Sequence, residues 1–106
     1  MRTVYASMTT TRGENEEMAE LARMVGHSML DWHTQIEGFL GLALLTNQEQ
    51  GTTQVITYWE SEEAAERSLA ARLALRDRIT ATVSVQVEET VGYEVPFARF
   101  PTGEVG

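Results

Sequence analysis

His33, Arg72, Arg76 and Trp59 are the residues of this 106-residue sequence best suited to chemistry, with Trp32, Tyr58 and Ser68 as candidate ligand contacts. An imidazole that is neutral near pH 7 can accept a proton from a weak acid such as a phenol. On a helix, Arg72 and Arg76 lie one turn apart and repel each other slightly unless an anion sits between them, so they form a candidate clamp for a carboxylate or enolate. Their plainer role is to lay aliphatic stems along a core edge with the charged heads in water, helped by the negative end of the helix dipole. Trp32, Trp59, Tyr5, Tyr58 and Tyr93 could wall an aromatic pocket, although such rings ordinarily serve packing in a small core. Ala64, Ser68 and Ala71 are small enough to leave room for a ligand, or equally to allow close packing.

The residue types that are missing narrow the chemistry further. The chain has no cysteine, which excludes thiolate nucleophiles, disulfides and thiolate metal sites. All eight basic residues are arginine, so no side chain can form a Schiff base with a carbonyl. The two histidines, His27 and His33, stand roughly 240 degrees apart around a helix and cannot share a metal ion, so no metal site is expected. His33 lies roughly 60 degrees off the centre of its helix's apolar stripe, where it either caps the rim of the core or faces a ligand. His27 lies opposite the stripe, four residues before Asp31, as an exposed helical pair.

The elements that must hold these residues follow from periodicity. Thr3 to Thr9 alternates Val4, Ala6 and Met8 with Tyr5, Ser7 and Thr9, which predicts a strand. From about Asn15 to Ile36, Met18, Leu21, Ala22, Val25, Met29, Trp32 and Ile36 form one helical stripe, with acidic residues at its start and Gly38 just past its end. Phe39 to about Asn47 and Thr52 to Glu60 read as a hairpin around Gln48-Glu49-Gln50-Gly51. Ser61 is placed to cap a second helix running to about Thr80. Its candidate faces are Ala64, Ser68, Ala71, Leu75 and Ile79, and beside them Ala65, Leu69, Arg72 and Arg76. Val83 to Val95 reads as a long final strand in which Glu89 breaks the valine alternation, predicting a bulge near Glu88-Glu89-Thr90.

The order βαββαβ predicts a ferredoxin-like α+β sandwich, a four-stranded antiparallel sheet with two helices on one face. The run from Phe39 to Leu45 has no polar side chain and requires cover on both faces. With both helices on one side, the other would expose an apolar patch, so a homodimer packed sheet to sheet is expected, burying roughly 1,600 Å² or more. A single domain is expected over residues 1–106, its core about 3–95 and its tail 96–106. The net charge of -8 disfavours nucleic acid and anionic membranes as partners. With neither a signal-like nor a membrane-spanning apolar run, a cytoplasmic location is expected.

The segments EGFLG (Glu37 to Gly41), YWES (Tyr58 to Ser61) and EEA (Glu62 to Ala64) resemble the antibiotic biosynthesis monooxygenase family, and the element order extends the resemblance over nearly the whole chain. It implies a dimeric α/β barrel. The family includes cofactor-independent oxygenases of aromatic polyketides and haem-degrading enzymes. Haem-degrading members carry an asparagine on the first strand and a tryptophan and an axial histidine on the second helix, where this chain has Ser7, Ser68 and Asp77. For the cofactor-free branch, Trp59 matches the family tryptophan and Arg76 its helix arginine. Val55 and Ala65 stand where polyketide oxygenases have asparagine and tyrosine. The resemblance thus implies a monooxygenase without metal, flavin or haem, acting on an aromatic or enolisable small molecule. In it Trp59 would be an aromatic wall, His33 the proton acceptor, and Arg72 or Arg76 the anion stabiliser. The alternatives are an isomerase, cyclase or decarboxylase on the same scaffold, and a non-catalytic ligand-binding dimer in which Leu69, Leu75 and Ile79 fill the space beneath the second helix. The enzyme readings require a closed pocket of at least about 300 Å³ lined by His33, Trp59 and an arginine.

Overall fold

The computed structural model describes residues 4–13, 18–83 and 85–99. The elements are β1 (Val4–Arg12), α1 (Met18–His33), β2 (Phe39–Asn47), β3 (Thr52–Trp59), α2 (Glu62–Val83) and β4 (Gln86–Val95). All pairings are antiparallel, in the order β2-β3-β1-β4, which is the ferredoxin-like topology expected from the sequence. Helix α1 rests on β2, while α2 rests mainly on β1 and reaches β3 and β4.

The joints follow local chemistry. Ser61 caps α2, its hydroxyl accepting from the Ala64 amide at 3.1 Å, with Glu62 and Glu63 in the first turn. Helix α1 ends at His33 rather than Ile36, because the chain tightens there into Gln35 N–H to Trp32 C=O and Ile36 N–H to His33 C=O bonds. The expected start of this helix, about Asn15, falls outside the described residues. Gly38 then turns with φ +90°, and its carbonyl accepts from the Glu60 amide at 2.8 Å, tying the two ends of the hairpin together. Helix α2 continues to Val83, past the expected end near Thr80, so β4 begins at Gln86 rather than Val83. The hydroxyls of Thr80 and Thr82, residue types that favour strands, donate back to the carbonyls of Asp77 and Arg78 within the helix.

Two bulges set which side chains face the helices. In the β1–β4 ladder, Thr10 pairs with Glu89 but Thr11 with Val87, leaving Glu88 as the extra residue where the sequence predicted a bulge. The bulge reverses the alternation of β4. Val87 therefore lies on the helix side, while Val91, Tyr93 and Val95 lie on the other. A second bulge, which the sequence reading did not anticipate, places Leu40 as the extra residue between Phe39 and Gly41 opposite Trp59 and Tyr58. The core at this end is Trp59, Ala64 and Ala65, with Tyr5, Ile36 and Phe39 packed around it.

The sheet face away from the helices carries Met8, Leu45, Ile56, Tyr58, Val91, Tyr93 and Val95, with Leu45 and Tyr93 exposed at 46% and 45%. Among the described residues, no helix is long and apolar enough to cross a membrane.

A Cβ added at Gly38 would lie 2.6 Å from the Cβ of Ala64, on a backbone that L side chains rarely adopt. Gly38→Ala is expected to lower unfolding stability by about 1 to 3 kcal/mol, read from urea midpoints. An unchanged midpoint would contradict the close approach of the turn before β2 to α2.

Candidate functional site

Above the sheet, a cleft lies between α1 and α2. Met18, Leu21, Val25 and Met29 of α1 form one wall, and Leu75 and Ile79 of α2, with the stems of Arg72 and Arg76, form the other. The floor is hydroxylated, with Ser7, Thr9 and Thr11 from β1, Thr53 and Thr57 from β3 and Thr90 from β4. The cavity volume is about 110 Å³ and its side opens to solvent. It is therefore smaller and more open than the closed pocket of at least about 300 Å³ that the sequence reading required.

His33 is buried, 2% exposed, at the edge of this cleft. Its Nδ1 lies 2.8 Å from the Met29 carbonyl oxygen, which can only accept, so Nδ1 carries the proton and Nε2 the lone pair. The rings of Trp32, Phe39 and Trp59 surround it at centroid distances of 4.9, 5.4 and 6.2 Å. Burial is the main cause pushing the His33 pKa below its ordinary value of 6.5. The bond to Met29 opposes that shift, and the positive charge of Arg72 adds to it. His33 is thus a neutral base near pH 7.

Arg72 is the best-fixed cation. Its Nε donates to Ser68 Oγ at 3.0 Å, its Nη2 donates to the Ala65 carbonyl at 2.7 Å, and its guanidinium lies 4.7 Å from the Trp59 ring centroid. Ser68 Oγ donates in turn to the Ala65 carbonyl at 3.2 Å, so its lone pairs face the arginine. Burial lowers the Arg72 pKa, but a guanidinium remains charged. One turn on, Arg76 donates through Nη1 to Thr90 Oγ1 at 3.0 Å and through Nε and Nη2 to Asp77 Oδ1.

His33, Arg72 and Arg76 therefore converge on one cleft. Trp59 does not line it. With its side chain fully buried beneath Arg72 and its Nε1–H donated to Thr57 Oγ1 at 2.9 Å, it supports the site from behind rather than walling it. Ser68 holds Arg72 and lies outside the cleft lining, and half-buried Trp32 packs edge-on against His33. Tyr58 lies on the opposite sheet face, because strand parity gives the helix side to Trp59. Ala71 points outward and Leu69 is 37% exposed, so these two do not occupy the space beneath α2. The threonine floor was missed from sequence, although its signal was present in the inward parity of Ser7, Thr9 and Thr11 and of Thr53 and Thr57. Among the described residues, no three metal-ligating side chains cluster.

No protein-family model matches the chain, and no curated protein sequence matches it. Solved structures do. A monooxygenase from the gene ActVA-Orf6 of Streptomyces coelicolor, determined with the ligand Nanaomycin D, is 17% identical with a TM-score of 0.68, over 95% of this chain and 94% of its own. SnoaB, a cofactor-independent oxygenase from Streptomyces nogalater, is 16% identical with a TM-score of 0.62, over 96% of this chain and 100% of its own. The fold is that of the antibiotic biosynthesis monooxygenases. The same fold is present in NE2512 of Nitrosomonas europaea, a protein of unknown function that is 18% identical with a TM-score of 0.68, over 96% of this chain and 98% of its own. The monooxygenase fold is therefore shared with a chain of no assigned activity, and the case for chemistry rests on the cleft.

The lowered pKa of His33 links the site to stability. Between the depressed folded pKa and 6.5 the unfolded chain binds a proton that the folded chain does not, so this contribution is complete above 6.5 and is lost as pH falls below it. An NMR titration of the His33 ring is expected to give a midpoint below 6.5 with the neutral ring protonated at Nδ1. A midpoint at or above 6.5, or a proton on Nε2, would contradict the assignment.

Proposed function

We propose that this chain is the subunit of a homodimeric, cofactor-independent oxygenase acting on a phenolic or enolisable aromatic molecule. The observation that carries this reading is His33, buried at the cleft edge with Nδ1–H committed to Met29 and the Nε2 lone pair uncommitted, beside the fixed charge of Arg72. Nε2 accepts the proton of the phenol or enol, and Arg72 stabilises the anion left behind. That anion passes one electron to dioxygen, and the resulting radical pair joins in a new carbon–oxygen bond. Loss of water from the hydroperoxide completes the conversion of a ring CH2 to C=O, one oxygen atom entering the product and the other leaving as water. Trp59 acts by supporting Arg72 and His33.

A fused aromatic ligand is larger than the resting cavity of about 110 Å³, and it enters from the open side. The structural likeness to an oxygenase solved with Nanaomycin D and to SnoaB favours the same class of chemistry. The dimer is argued from the apolar sheet face opposite the helices, where Ile56 and Val91 are half-exposed and Leu45 and Tyr93 exposed in the single chain.

With anthrone as substrate, the purified protein is expected to consume one dioxygen per anthrone oxidised, and His33→Ala is expected to lower kcat by roughly 100-fold or more. Absence of oxygen uptake, or equal rates in the two proteins, would sink the proposal. Product formed without oxygen uptake would instead support an isomerase or decarboxylase. In sedimentation equilibrium the mass should be twice 11.8 kDa, with Tyr93→Glu shifting it toward the monomer. A wild-type monomer would contradict the sheet-to-sheet dimer.

A further inference from the structure

On the β4 side of the cleft, Arg76 Nη1 donates to Thr90 Oγ1 at 3.0 Å, and Thr90 Oγ1 lies 2.9 Å from Thr9 Oγ1. Both threonines and Arg76 line the cleft. A guanidinium cannot accept a hydrogen bond, so the proton between the two hydroxyls belongs to one of them. If Thr9 donates, the Thr90 proton is left over. If Thr90 donates, the Thr9 proton is left over. Either way, two hydroxyls share one internal bond and one hydroxyl proton has no partner within the cluster. The adjacent charge of Arg76 polarises the cluster as a donor.

The cleft therefore asks for two different groups on one ligand. At His33, the free lone pair of Nε2 calls for an acidic O–H. At Thr9, Thr90 and Arg76, the uncommitted proton calls for an acceptor oxygen. The apolar wall of Leu21, Val25 and Leu75 suits a ring face.

We infer that Thr9, Thr90 and Arg76 form a second subsite that donates a hydrogen bond to a carbonyl oxygen of the aromatic ligand. This deepens the oxygenase proposal and rests on it for the role of His33. It assigns Thr9 and Thr90 as specificity-determining residues.

The test uses two nearly isosteric probes, 6-acetyl-2-naphthol and 6-ethyl-2-naphthol, titrated calorimetrically into the whole protein. Wild type is expected to bind the acetyl compound roughly fivefold more tightly, the worth of one net hydrogen bond. The double variant Thr9→Val, Thr90→Val preserves side-chain shape and should erase that preference while holding the ethyl compound within about twofold. Equal binding of the two probes by wild type, or an unchanged preference in the double variant, would overturn the subsite. Equal weakening of both probes by the double variant would overturn it too, by showing a merely structural role. His33→Ala should weaken both probes alike and keep the preference. If the threonine variants erase the preference but His33→Ala changes neither affinity, the subsite stands and the oxygenase reading falls. If neither probe binds wild type, both fall.

Discussion

The contact between the Arg72 guanidinium and the Trp59 indole holds the two halves of the site together. Trp59 is fully buried at the end of β3, and Arg72 lies over its ring at 4.7 Å with Nε donating to Ser68 and Nη2 to Ala65. A stacked cation of this kind contributes on the order of 0.5 to 2 kcal/mol. Its larger effect is positional. The stack fixes a charge beside His33, which adds to the lowering of the imidazole pKa that burial mainly causes and provides the counter-charge for an anion formed there. The same indole donates to Thr57, so one buried ring organises the cation, the base and part of the floor.

The sheet gives its two faces different tasks, and the bulge at Glu88 is the device that separates them on β4. Without it, Val91 and Tyr93 would share a face with Val87, and Thr90 would be turned away from Thr9 and Arg76. With it, Thr90 joins Thr9 on the helix side, and Val91 and Tyr93 lie on the other. The floor of the cleft thus carries hydroxyls beside the apolar Leu44 and Val55, and Met8, Ile56, Val91 and Tyr93 lie on the other face.

Most of the fold was legible in the sequence, because helix and strand periods, the Ser61 cap and the positive-φ glycine at position 38 are local signals. The bulge on β4 was legible too, since Glu89 interrupts a run of valines. The bulge at Leu40 was not, because a stretch without polar side chains carries no alternation to interrupt. Of the site, His33, Arg72 and Arg76 could be found from helical spacing. The place of Trp59 relative to Tyr58 could not, because parity assigns two faces without saying which one the helices cover. The role of Ser68 as a support for Arg72 depends on a side chain folding back along its own helix, which spacing alone does not specify. The tautomer of His33 depends on the Met29 carbonyl, a backbone group invisible to residue type.

The central claim is that a neutral His33 accepts the substrate's proton, and the pH dependence of kcat/KM for anthrone oxidation tests it most directly. A base acts only when deprotonated, so the rate should be constant near pH 7 and fall on the acid side through an apparent pKa below 6.5, the direction in which burial and Arg72 move His33. Loss of that acid limb in His33→Ala would complete the result. An acid limb centred above 6.5, or one that persists unchanged when His33 is removed, would contradict the account.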